Sequence, residues 1–88
     1  AFDFGLTTAF PNPFNSTTTI GYSLPHLSDV SLQVYNLAGQ KVTTLFEGKR
    51  QTGVYNTNMT AYNLPTGIYI LKMEASGQVF TQKVMLIK

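Results

Sequence analysis

Apolar and polar residues alternate strictly through Val30-Ser31-Leu32-Gln33-Val34-Tyr35, and a glycine-bearing stop, Leu37-Ala38-Gly39-Gln40, follows at once. No other feature constrains the fold as much. A period of two puts Val30, Leu32 and Val34 on one face and Ser31, Gln33 and Tyr35 on the other, which a helix of 3.6 residues per turn would scramble. The segment reads as a half-buried strand. Gly39 is the residue of the stop suited to a positive φ. "KVTTLFE", Lys41 to Glu47, therefore reads as the returning partner strand.

The same grammar runs along the rest of the chain. "TTTIGYS", Thr17 to Ser23, is β-branched and strand-like, whereas "GKRQTG", Gly48 to Gly53, reads as a polar loop with glycine at both ends. "VYNTNMT" reads as a weaker edge strand. Pro65 and Gly67 then punctuate a second loop, "AYNLPTG", before "IYILKMEA". Ala75-Ser76-Gly77-Gln78 is the clearest hairpin turn, and "VFTQKVMLIK" follows it. In this last pair apolar residues fall on both faces: Ile68 and Ile70 against Tyr69, Leu71 and Met73, and Val84 and Leu86 against Met85 and Ile87. Strands of that kind are expected at a sheet centre or beneath a second layer. With a short strand at Leu6 to Ala9, seven strands are predicted, spaced by about 8–12 residues. The expectation is all-β: one domain over residues 1–88, folded as a seven-stranded immunoglobulin-like sandwich of two mainly antiparallel sheets.

Composition narrows the chemistry. The chain has 88 residues, no cysteine, 43% hydrophobic and only 11% charged residues, so apolar packing must hold it without disulfides. Lys41, Lys49, Arg50, Lys72, Lys83 and Lys88 outnumber four acidic residues for a net charge of +2 but are scattered, where a nucleic-acid surface needs a patch or stripe. No apolar run reaches the roughly 18–20 residues of a transmembrane segment. Ala1-Phe2-Asp3 lacks the basic start and apolar core of a signal peptide, so export requires the chain to be part of a longer precursor.

Catalytic candidates are few. His26 follows Pro25 in an expected turn, and Ser28 and Asp29 are too close in sequence to converge with it as a triad does. Asp3, Asp29, Glu47 and Glu74 are dispersed, and no spacing suggests zinc or an EF-hand. A calcium ion held by loop carbonyls would leave no trace in the sequence. Two glycosylation tripeptides, at Asn15 and Asn58, are the chance yield of an Asn- and Thr-rich chain. Tyr22, Tyr35, Tyr55, Tyr62 and Tyr69 could form a sugar-binding platform but read more simply as strand residues. No enzyme and no cofactor are expected.

"FPNPFNSTTTIGYSLP", "VSLQVYNLAGQKVTTL", "LPTGIY" and "ILKMEASGQVFTQKVMLIK" occur in that order. As an ordered set, from about Phe10 to Lys88, they resemble the type A C-terminal sorting domain of the type IX secretion system of Bacteroidetes and related phyla. The chain departs from that pattern at Ser16, where members often carry proline. The resemblance implies a domain at the C-terminus of a larger exported cargo, recognised in the periplasm by translocon components. After passage through the outer membrane a sortase-like protease commonly removes it, and the cargo is released or attached to the cell surface.

Residue chemistry suggests how such a signal is read. Pro11 and Pro13 fix φ and push Phe10 and Asn12 toward extended conformations. Asn12 and Asn15 are expected to bond neighbouring amides as turn formers, with Phe10 or Phe14 pinning the segment to the sandwich. "PNPFN" then serves either as a pre-ordered recognition element or as closure of one end of the core. Lys83 and Lys88, on the last strand, are candidate translocon contacts. Gly39, Gly67 and Tyr69 are expected to be structural, Gly67 as a hinge and Tyr69 as an anchoring ring. Two other readings are an immunoglobulin-like assembly or spacer domain, as in the hook-capping protein of flagella, and a carbohydrate-binding accessory module.

Overall fold

The computed structural model describes residues 3–7, 9–61 and 63–88; Ala1, Phe2, Thr8 and Tyr62 lie outside the described residues. The described residues form seven strands and no helix: β1 (Gly5–Leu6), β2 (Thr17–Leu24), β3 (Ser28–Asn36), β4 (Lys41–Arg50), β5 (Gly53–Thr60), β6 (Gly67–Ala75) and β7 (Gln78–Leu86). A three-stranded sheet, in the order β1-β2-β5, packs on a four-stranded one, β4-β3-β6-β7, and every pairing between strands is antiparallel. The chain changes sheet after β2, β4 and β5, so each sheet mixes strands distant in sequence, as the sandwich architecture requires.

β3 bears out the alternation residue by residue. Val30, Leu32 and Val34 are buried while Ser31, Gln33 and Tyr35 lie on the partly exposed outer face. The stop after it closes through Gly39 N–H donating to Asn36 C=O at 3.0 Å and Asn36 N–H to Gln40 C=O at 3.0 Å, with Gly39 at φ 84°. Ser76 and Gly77 have φ values of 49° and 80°. Positive φ at both central residues is the two-residue hairpin turn whose twist matches the flanking strands.

Three expectations need correction. "GKRQTG" is not a loop throughout: Gly48, Lys49 and Arg50 extend β4 and pair with Val30, Asp29 and Ser28, leaving Gln51 and Thr52 as the connection to Gly53. The first strand covers Gly5–Leu6, and of the expected Leu6 to Ala9, Thr7 and Ala9 lie outside any strand while Thr8 falls outside the described residues. Of the two strands with double apolar faces, β6 is central but β7 is an edge, with Val79 55%, Met85 38% and Ile87 48% exposed. Apolar outward residues on β7 thus do not signal a further layer.

Two groups of buried side chains fill the interior. One includes Phe14, Ile20, Met59, Tyr69, Leu71 and Leu86; the other includes Tyr22, Leu24, Leu32 and Met73, and half-buried Leu6 and Leu45 pack against both. Leu45 reaches the core because β4 is bulged. Its pairing with β3 slips between Leu32 and Gln33 and again between Val34 and Tyr35. Each slip places an extra β4 residue, Leu45 and Val42, and turns its side chain inward out of phase.

Candidate functional site

The segment around the two prolines carries the chain from one sheet to the other. Phe10 and Thr19 exchange both main-chain hydrogen bonds (3.0 and 2.9 Å), continuing the line of β1 along β2. The hydroxyl of Thr18, fully buried on β2, donates to Pro11 C=O at 2.7 Å and so satisfies a polar group in the core. Pro11 and Pro13 both follow cis peptide bonds. Beyond them Phe14 lies parallel to the end of β7: its N–H donates to Met85 C=O at 2.9 Å, and Ile87 N–H donates to its C=O at 2.9 Å. Of the two candidate anchors, Phe14 is 2% exposed and Phe10 72%. Phe14 is the anchor.

Asn12 behaves differently from a local turn former. Its Nδ2 donates to Lys83 C=O at 3.3 Å, and Met85 N–H donates to its Oδ1 at 3.0 Å. One side-chain amide thus occupies a donor and an acceptor of the β7 edge, as a peptide group of an added strand would. The reason is legible in retrospect. Pro13 has no N–H to offer, and the next amide, that of Phe14, is engaged by Met85. With no local donor beside it, the Asn12 amide is left free for the β7 edge. Asn15, by contrast, is exposed and its side chain makes no hydrogen bond among the described residues.

These contacts cover half of an edge. In β7 the odd-numbered residues turn their main-chain groups away from β6, and from Lys83 C=O to Ile87 N–H each such group is paired with Asn12 or Phe14. Lys83 itself is exposed on the outer face opposite Ile70. Lys88 lies two residues beyond β7 rather than on it, and its N–H donates to Thr66 Oγ1 at 3.1 Å. The structure therefore gathers Pro11, Asn12, Pro13, Phe14 and Lys83 along one border, with Asn15 and Lys88 at its end. Thr18 and Thr66, which hold this border, carry no sequence signal, since one Thr in a polar run looks like the next.

Gly39, Gly67 and Tyr69 stand apart from it. Gly67 opens β6 opposite Leu86, and a Cβ there would meet no atom within 4 Å. Tyr69 is buried, and its hydroxyl donates to Pro65 C=O at 2.6 Å. This ring-to-backbone bond at the start of β6 fixes the corner between the sheets in the manner of the tyrosine corner of immunoglobulin-like domains. Nearby, Ala61 N–H donates to Ser16 C=O at 2.9 Å, tying the same corner to the proline segment.

The remaining polar chemistry is spread out. Asp29, Glu47 and Glu74 line one shallow depression of about 440 Å³ on the outer face of the four-stranded sheet, with Glu74 paired to Lys72 at 3.2 Å. Among the described residues no three carboxylate or imidazole groups lie close enough to hold a metal ion. His26 sits in the turn between β2 and β3, edge-on to Phe4. The four described tyrosines form no common platform: Tyr22 and Tyr69 are buried, Tyr35 lies on the outer face, and Tyr55 stacks on Tyr22. The Arg50 guanidinium lies 4.0 Å over the Phe46 ring and 4.6 Å over that of Tyr55. Burial pushes the Tyr22 hydroxyl above its ordinary pKa, with nearby Arg50 pulling more weakly the other way. No helix among the described residues is long and apolar enough to cross a membrane.

Comparison with curated proteins finds no match. Comparison with protein families finds one: the secretion system C-terminal sorting domain, matched over residues 8–88. That span contains the proline segment, the tyrosine corner and β7. The chain therefore belongs to the C-terminal sorting domain family of the type IX secretion system, whose members are sorting signals for export to the cell surface or beyond.

Proposed function

We propose that residues 1–88 are a single non-catalytic sorting domain that travels with a cargo joined upstream, crosses the periplasm with it, and is cut off by a sortase-like protease once outside. Its readable surface is the border formed by Pro11, Asn12, Pro13, Phe14 and Asn15 with Lys83 and Lys88. Gly39, Gly67 and Tyr69 maintain the frame behind it. One observation carries the reading: Asn12 bonds Lys83 and Met85, 71 and 73 residues further along the chain. Two segments that are only a list in the sequence become one surface. A rigid surface suits a signal, because a receptor that meets it pre-ordered loses little conformational entropy on binding.

The test is a fusion of this chain to a periplasmic reporter in a type IX-competent bacterium. The reporter is expected on the cell surface or in the medium; a reporter retained in the periplasm would refute the reading. Lys83→Ala, at an exposed side chain, is expected to lower export without altering the thermal midpoint. Export at the unsubstituted level would remove Lys83 from the readable surface.

A further inference from the structure

We propose that the row from Val79 to Lys83 on the outer edge of β7 is a strand-addition site, filled during export by an extended segment of the secretion machinery, and that Asn12 marks where this added strand must stop. The inference rests on the sorting-signal reading and adds to it the mode of docking.

The edge is divided sharply. From Lys83 C=O onward its outward groups are paired. The outward N–H and C=O groups of Val79 and Thr81 have no partner among the described residues. β1 approaches β7 from the other sheet but makes no hydrogen bond to it. Every pairing of β7 with β6 is in unbroken register from Gln78 to Leu86, so the open groups form a straight row of the kind an incoming strand can match. Side chains on the row suit pairing: Val79 and Thr81 are β-branched, both exposed, and free of the charge repeats that blunt edges. Lys83 is the one charged residue of β7, so the partner segment should place an acidic side chain beside it.

A second copy of this chain is the weaker occupant. Self-pairing would be confined to the row from Val79 to Lys83, because each copy's own Asn12 and Phe14 cover the rest of its β7 edge. A sorting domain must meet the secretion machinery during export, and a component of it docked on the row can continue onto the Pro11–Asn15 border, which joins the row at Asn12.

Thr81→Pro tests this. It removes one outward N–H and leaves the ladder to β6 intact, the placement at which edge strands tolerate proline. Fused to the reporter, the folded variant is expected to export about ten-fold less, the cost of a lost main-chain hydrogen bond whose partner is left unpaired. Should Thr81→Pro fail to fold, Val79→Pro, just inside the hairpin turn, makes the same deletion where the strand begins. Folded proline variants exported as well as the unsubstituted fusion would overturn the inference alone. An unsubstituted fusion that stays in the periplasm would overturn the sorting reading and this inference with it. Sedimentation showing a dimer of the unsubstituted chain that Thr81→Pro dissolves would give the edge to a second copy, and so overturn the assignment to the machinery.

Discussion

The two edges of the four-stranded sheet are protected in opposite ways. β4 is irregular in itself: two bulges break its pairing, and Lys41, Glu47, Lys49 and Arg50 place charge along it. β7 has no irregularity over nine residues and a single charge, and it relies on a segment from the far end of the chain to cover half its length. A bulge is permanent, because removing it would shift register and turn core residues outward. A covering segment protects only as far as it reaches. The contrast is between an edge made unsuitable for pairing in one place and an edge kept straight and part-covered in another.

The largest expected effect comes from the anchor of that cover. Phe14→Ala should leave a cavity beside Tyr69 and Leu86 and lower stability by about 3–5 kcal/mol, read as a shift in the urea midpoint. Phe10→Ala, at a side chain mostly in water, should stay within about 0.5 kcal/mol. Equal effects would mean that the cover is not hung on Phe14, and the contrast between the edges would lose its basis.

Next is the corner behind the cover. Tyr69→Phe keeps the ring but loses the bond to the Pro65 carbonyl, at a cost of about 0.5–1.5 kcal/mol. Because Ser16 is bonded to the same corner through Ala61, amide exchange at Phe14 and Ile87 should quicken as well. Exchange quickened only around Pro65 would show that the corner and the cover are independent.

Asn12→Ala should cost about 1 kcal/mol and raise exchange at Met85 while leaving Val84 and Leu86, bonded to β6, unchanged. Asn12→Asp keeps the acceptor for Met85 N–H and loses the donor to Lys83 C=O, so it should fall between the two. On the other edge Thr44→Ala, at an exposed position of β4, should stay within about 0.5 kcal/mol. If Asn12→Ala is equally mild, the side-chain clamp contributes nothing and Phe14 alone closes β7.

What the sequence shows and hides divides along the same line. β3, the hairpin turn at Ser76-Gly77 and the edge position of β5 were legible because each follows from local period or local backbone freedom. Local pattern ends β4 short of Gly48-Lys49-Arg50, because two glycines and polar residues look like a loop until β3 supplies a partner. Arg50 is then held by Phe46 and Tyr55 rather than by solvent. Local pattern puts β7 too centrally, because an apolar outward face says only that water is not required there. It does not say what neighbour is present. For the proline segment the residue types were legible and the partners were not, since the bonds of Asn12 span more than 70 residues. Local pattern fixes what a segment is able to do, and only the fold fixes to whom it does it.

The smallest effect concerns the end of β4, where Arg50 lies between Phe46 and Tyr55, and Tyr55 stacks on Tyr22 at 5.4 Å between ring centres. This latch joins β4 to the opposite sheet through side chains, where β7 is joined to it through the proline segment. Burial raises the pKa of Tyr22 in the folded chain. Below about pH 10 its hydroxyl keeps its proton in both folded and unfolded chains, so the group adds no pH dependence there. As pH rises through 10 the unfolded chain ionises first and binds fewer protons than the folded one, and stability falls. The fall ends once pH passes the raised value of the folded state. Tyr22→Phe removes the ionising group while keeping the ring on Tyr55, so its stability should decline less steeply between pH 10 and 11 than that of the unsubstituted chain. Parallel declines, measured by urea titration at each pH, would mean that Tyr22 ionises as freely when folded as when unfolded, and that the latch leaves its hydroxyl in water.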